Sequence, residues 1–155
     1  MLYTNTNKSL YNPTQELDLE SCTVLIYGHL SFMQVLWNDR ASEKDYKANV
    51  LQVLQIVTRL KIKYILSDAH RLQHTDNNYW FLQVCVPILV KSSISKVARI
   101  VPYNPTAITQ NQKLVEEKEF RARSRPLAFD FEVFTDLDDA FHWLEIKLPA
   151  RLVNY

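Results

Sequence analysis

Residues 42–60, SEKDYKANVLQVLQIVTRL, carry the clearest periodic signal in the chain, and their reading decides its architecture. Tyr46, Val50, Val53, Leu54, Val57 and Leu60 recur at helical spacing and form an apolar stripe, while Lys44, Lys47, Gln52, Gln55 and Arg59 fall on the opposite face. Ser42 is placed to cap this helix, and Glu43 and Asp45 put negative charge at the positive end of its dipole. Many of the stripe residues are β-branched and poor helix formers, so packing of the stripe must hold the helix. Immediately upstream lies Phe32-Met33-Gln34-Val35-Leu36-Trp37, and immediately downstream Lys61-Ile62-Lys63-Tyr64-Ile65-Leu66-Ser67, both strand-like by content. A helix that leaves one strand and delivers the chain into the next is a crossover, and crossovers join parallel strands.

Working outward, Thr23 to Tyr27 reads as a strand, and Gly28-His29-Leu30-Ser31 as a hairpin loop in which Gly28 supplies the unusual backbone angle. The strand ending at Trp37 then returns antiparallel. Beyond Ser67, the run Asp68-Ala69-His70-Arg71-Leu72-Gln73-His74 reads as a loop at a strand's C-terminal end. Thr75 or Asp76 caps a second helix that runs to about Ser92 and is kinked by Pro87. Lys96 to Val101 is the next strand, ended by Pro102; Thr106 to Phe120 is an outer helix, given the polar face of Gln110, Asn111, Gln112, Glu116, Glu117 and Lys118. Leu127 to Phe134 alternates as a half-exposed edge strand does. Thr135 caps a last helix, Asp136 to Lys147, with Leu137, Ala140, Phe141 and Leu144 inward and Pro149 beyond its end.

The fold class is therefore α/β: a mixed sheet of about five strands with about four helices, in the order β-β-α-β-α-β-α-β-α. Residues 1–21 form an N-terminal extended arm with room for a short strand, 22–148 the α/β domain, and 149–155 a C-terminal tail.

Composition narrows the function. The chain has 155 residues, 47% of them hydrophobic, which suits one core and excludes a disordered chain. A formal net charge of +1 exerts no global pull on nucleic acid or anionic membranes. The start, Met1 to Lys8, lacks the basic-then-apolar pattern of a signal peptide. The most apolar run, Tyr79 to Val90, is interrupted by Gln83 and Pro87 and is too short to span a bilayer, so no membrane insertion is expected. Cys22 and Cys85 sit in apolar runs and read as buried free thiols. Together these features point to a cytoplasmic protein. With Gly28 as its one glycine, the chain can write neither GxGxxG nor a P-loop, and no cofactor is expected.

Trp37 closing the second strand, Leu66-Ser67-Asp68 with Leu72, Trp80, Pro87, Ala98-Arg99-Ile100-Val101-Pro102 and the run from Phe134 to Leu144 appear in an order that resembles the bacterial STAS-like group with the SpoIIAA-like fold. That fold is described as related to the CRAL-TRIO lipid-transfer fold. The resemblance runs from about Thr23 to Leu144. It implies a non-enzymatic regulatory or protein-interaction module, or, through the related fold, a small apolar or lipid-like ligand. Asn38-Asp39 stand where the family usually has glycine nearby, and Gln73-His74-Thr75-Asp76-Asn77 where its anti-sigma-factor antagonists look like Asp-Ser-Ser/Thr-Gly. Thr75 lies near the position of their phosphorylated serine, without its Ser-Gly context.

The candidate ligand- or partner-binding residues are Asp68, His70, Arg71, His74, Thr75 and Trp80. They cluster where open α/β sheets bind ligands, at a strand's C-terminal end and a helix N-terminus. Asp68, His70, His74 and Asp76 have donor atoms suited to a metal, but spacing within a loop fixes no geometry and no metal is expected. Ser67, Asp68 and His70 are too close in sequence to converge as a hydrolase triad, and Cys85 reads as core, so no catalytic residue is assigned. Arg121-Ala122-Arg123-Ser124-Arg125 offers cations to phosphate or to the helix dipole. Tyr79, Trp80 and Phe81 cannot share one helix face, which leaves a ring for a cavity or a subunit contact. The expected partner is an unidentified protein or a small apolar ligand between the Pro87 helix and the sheet, with a homodimer through the Leu127–Phe134 edge as a further possibility.

Overall fold

A computed structural model describes residues 12–39, 42–72, 78–124 and 129–147. Its strands are β1 (Gln15–Asp18), β2 (Cys22–Tyr27), β3 (Phe32–Trp37), β4 (Tyr64–Asp68), β5 (Lys96–Ile100) and β6 (Asp130–Phe134). The helices are α1 (Glu43–Leu60), α2 (residues 78–90, in three consecutive turns), α3 (Pro105–Ser124) and α4 (Leu137–Leu144). The strands lie in one sheet in sequence order. β1, β2 and β3 pair antiparallel; β3, β4, β5 and β6 run parallel.

The crossover read from the sequence is present. β3 and β4 pair in parallel, Val35 opposite Ser67, with α1 between them in the chain. Tyr46, Val50, Val53, Leu54 and Val57 are buried, and Ser42 caps the helix by accepting the Asp45 N–H at 3.1 Å. Leu60 departs from the expected stripe: it is 37% exposed. The helix closes there through Lys61, whose left-handed φ of 55° turns its N–H onto the Val57 carbonyl. That turn also moves the start of β4 from Lys61 to Tyr64.

Alternation along the strands divides the core in two. Val24, Ile26, Met33, Val35, Ile65, Val97 and Phe131 face α1 and α2, with Leu114 of α3 closing the far end. Phe32, Leu66, Ala98 and Ile100 face Ala140, Phe141 and Leu144 of α4.

Several expectations need correction. The sheet has six strands because the arm supplies β1, held at its start by Thr14, whose N–H bonds the Ile26 carbonyl at 2.6 Å. Gly28 does not take the unusual angle; residues Gly28–Leu30 form a 3-10 turn and Ser31 goes left-handed at φ 51°. What Gly28 supplies is space, since a Cβ there would stand 3.2 Å from Thr14 Oγ1. Asp68 belongs to β4 rather than to the loop after it. In α2 a π turn, Phe81–Cys85, precedes Pro87. Wider turns of this kind accommodate a ring that removes a helical hydrogen bond. Asp136, not Thr135, caps α4 by accepting the Asp139 N–H at 3.3 Å. β6 starts at Asp130, and Leu127, Ala128 and the tail lie outside the described residues. Asn111, expected on the polar face of α3, is 1% exposed: its amide donates to the Ala107 carbonyl at 2.8 Å and accepts from Arg99 Nε at 3.0 Å.

Gln34 is fully buried on β3, opposite Leu25 and Leu66, and neither of its amide atoms has a hydrogen-bond partner among the described residues. An unmet amide in an apolar layer costs stability. Replacing it with the similarly shaped Met is expected to raise the unfolding free energy by about 1–3 kcal/mol. Urea titration checks this, and an equal or lower stability contradicts it.

Candidate functional site

Parallel pairing brings the ends of β3 and β4 together, because Leu36 stands opposite Asp68. Thr23 of β2 stands opposite Leu36, so three strands meet at one corner of the sheet. A cleft of about 300 Å³ opens there, lined by Thr23, Leu36, Trp37, Asn38, Asp68, His70 and Arg71. Trp37 forms a fixed wall, since its indole N–H donates to Ser67 Oγ at 2.9 Å and its ring packs 4.6 Å from that of Tyr46. Thr23 Oγ1 donates to Asp18 Oδ1 at 2.9 Å.

The turn after β4 has its own scaffold. The Ala69 N–H extends the ladder onto the Ile100 carbonyl at 2.8 Å, and the Leu72 N–H closes a turn onto the Ala69 carbonyl at 3.0 Å. Ala69 and Leu72 are buried, which pins both ends of the turn to the core. Asp68, 3% exposed, accepts the His70 N–H at 3.1 Å and meets His70 Nδ1 at 2.5 Å. The carboxylate thus fixes both backbone and ring of a residue whose side chain is 42% exposed. Arg71 beside it is exposed. Chemically, the corner presents an oriented imidazole and a guanidinium on a rigid edge, suited to polar or anionic groups of a partner.

The structure brings together Asp68, His70 and Arg71 among the residues expected from sequence. Trp80 is not with them. It is half-buried against the α1–α2 side of the core, with Lys47 Nζ 5.5 Å over its ring. Of its neighbours, Phe81 packs its ring 5.7 Å from that of Phe131 at a tilt of 54°, and Tyr79 is 78% exposed. His74, Thr75 and Asp76 lie outside the described residues, as does Arg125. Sequence reasoning missed Thr23, Leu36, Trp37 and Asn38. Their signal was the crossover itself, which places the residues ending β3 beside those ending β4.

Between the sheet and the α1–α2 layer there is a void of about 60 Å³, bounded by residues such as Val53, Leu54, Leu89, Val97 and Arg99. Arg99 reaches across its rim toward the Tyr46 hydroxyl at 3.4 Å. Such a space holds a few waters, whereas ligand pockets span about 300–1,000 Å³. Among the described residues no group of three or more metal-ligating side chains occurs, and no helix is long and apolar enough to cross a membrane. Neither a family model, nor a curated protein, nor a solved structure matches the chain.

Two outcomes follow from this geometry. Asp68→Ala leaves the His70 N–H without its acceptor and is expected to cost about 1–3 kcal/mol, whereas exposed Arg71→Ala stays within about 0.5 kcal/mol; urea unfolding separates them. Burial pushes the thiols of Cys22 and Cys85 up to about 12. The folded chain keeps these protons where an unfolded chain, with thiols near about 8.5, releases them. The contribution of both thiols to stability is therefore constant at neutral pH and falls as pH rises from there toward 12. A Cys22→Ala/Cys85→Ala chain is expected to show a shallower alkaline loss in denaturation midpoints, and an identical alkaline slope contradicts the assignment.

Proposed function

We propose that the chain is a non-enzymatic regulatory or protein-interaction module of STAS-like type, with the corner at Asp68, His70 and Arg71 as its partner face. The observation that carries this reading is the construction of that corner. A buried carboxylate spends its lone pairs on holding a turn, and the turn holds an imidazole and a guanidinium out to water beside an open, mostly polar cleft. Rigid edges bearing arginine and aromatic side chains are what protein partners use as anchors. The antiparallel β2–β3 pair leading through α1 into a parallel run makes the domain a mixed α/β sheet, the class in which the STAS-like reading is framed. The alternative of a lipid-like ligand beneath the Pro87 helix draws no support from a void of about 60 Å³.

The test is site-specific photocrosslinking in the cell of origin. A photoreactive residue at Asn38 or Arg71 is expected to trap one defined protein. The same residue at exposed Gln55, on the outer face of α1, is expected to trap none of it. No adduct at the corner, or the same adducts from both sites, contradicts the proposal.

A further inference from the structure

A second surface lies at the far edge of the sheet. Among the described residues β6 pairs only with β5, and its other side faces no described strand. The direction of its backbone groups follows from the ladder: the Asp130 N–H reaches the Ser95 carbonyl at 2.9 Å and the Phe134 carbonyl accepts the Val101 N–H at 2.9 Å. Residues 130, 132 and 134 therefore turn inward to β5, and Phe131 and Val133 turn their N–H and C=O outward. The Val133 N–H is met there by Glu132 Oε1 at 3.2 Å, a carboxylate of its own strand lying over the edge. Carboxylates and other charges on an edge are how sheets avoid indiscriminate pairing.

The edge is also walled. α3 packs on one face of the sheet through Leu114, and α4 on the other through Phe141 and Leu144. Between them runs an open groove of about 610 Å³, with Ile108, Val115 and Val133 supplying apolar lining. Among the described residues its charged lining is of one sign: Glu116 from α3, Glu132 from β6 and Asp139 from α4. Tyr103, which also lines it, is 87% exposed and offers a ring face to a cation.

We propose that this groove docks an extended, Lys- or Arg-rich segment of a partner protein as an added strand on β6. Main-chain bonds to the outward groups of Val133 give the affinity. Alternate side chains of the incoming strand give the selection, apolar ones against Ile108 and Val115 and basic ones against Glu116, Glu132 and Asp139. The Glu132 carboxylate then exchanges the Val133 N–H for a cation of the segment. The groove is at the opposite edge of the sheet from the β1 side and draws on no residue of the Asp68 corner, so either surface can fail without the other.

The probe is a random-peptide library displayed on phage and panned on the full chain, with a synthetic copy of the selected sequence measured by fluorescence anisotropy at about 0.15 M salt. Selected peptides are expected to alternate Lys or Arg with apolar residues. Glu116→Lys with Glu132→Lys, both at exposed positions, is expected to weaken the synthetic peptide by about tenfold or more. N-methylation of alternate peptide amides is expected to do the same without touching the protein. Selection without a basic bias, or binding indifferent to both changes, overturns the proposal. So does a dimer in light scattering that Val133→Pro abolishes, since the occupant is then a second copy.

Discussion

The parallel pairing of β3 with β4, sealed on one face by α1, joins the antiparallel β1–β3 part of the sheet to its parallel part. The pairing sets Val35 against Ser67 and Leu36 against Asp68, and it thereby decides which residues share the corner cleft. The seal is hydrophobic: Tyr46, Val50, Val53, Leu54 and Val57 leave water by settling on Val35, Ile65 and Val97. A one-residue slip of either strand would turn these side chains to the opposite face and carry Asp68 away from its position beside Leu36. The buried Asn49 fastens the same helix to the first strands, accepting the Ser21 N–H at 2.8 Å and donating to Glu20 Oε2 at 2.9 Å. That bond holds the Glu20 carboxyl below its usual range.

Much of this was legible because the sequence is locally consistent where packing is strongest. The stripe from Tyr46, the cap at Ser42 and the strand-like runs on either side point to the same crossover, and the structure has it. Legibility failed where tertiary contact overrides local pattern. Asn111 looks like a solvated residue on a polar helix, yet it is buried as the partner of Arg99, a contact from another element that helical periodicity does not contain. Gly28 looks like a turn residue valued for its backbone freedom, yet its value is the room it leaves for Thr14, contributed by an arm fourteen residues earlier. β1 escaped a firm assignment because QELD has no strand signature of its own and pairs only because β2 offers an edge.

The corner site was half legible. Asp68, His70 and Arg71 are neighbours in the chain and stand out as chemistry-bearing residues on a strand end. Thr23, Leu36, Trp37 and Asn38 come from other strands, and only the register connects them. Trp80 drew notice as part of an aromatic run, but the π turn that follows it sets its ring against the core and leaves Tyr79 in water. The two proposed surfaces differ in physical kind. The corner offers side chains on a fixed turn, whereas the β6 edge offers main chain between acidic walls.

Interstrand nuclear Overhauser effects between β3 and β4, recorded on the uniformly labelled chain, test the central pairing most directly. Parallel connectivities that place Val35 beside Ser67 and Leu36 beside Asp68 are the predicted result. Antiparallel connectivities, a shifted register or no contact between these strands would contradict the architecture and remove the basis for the corner site.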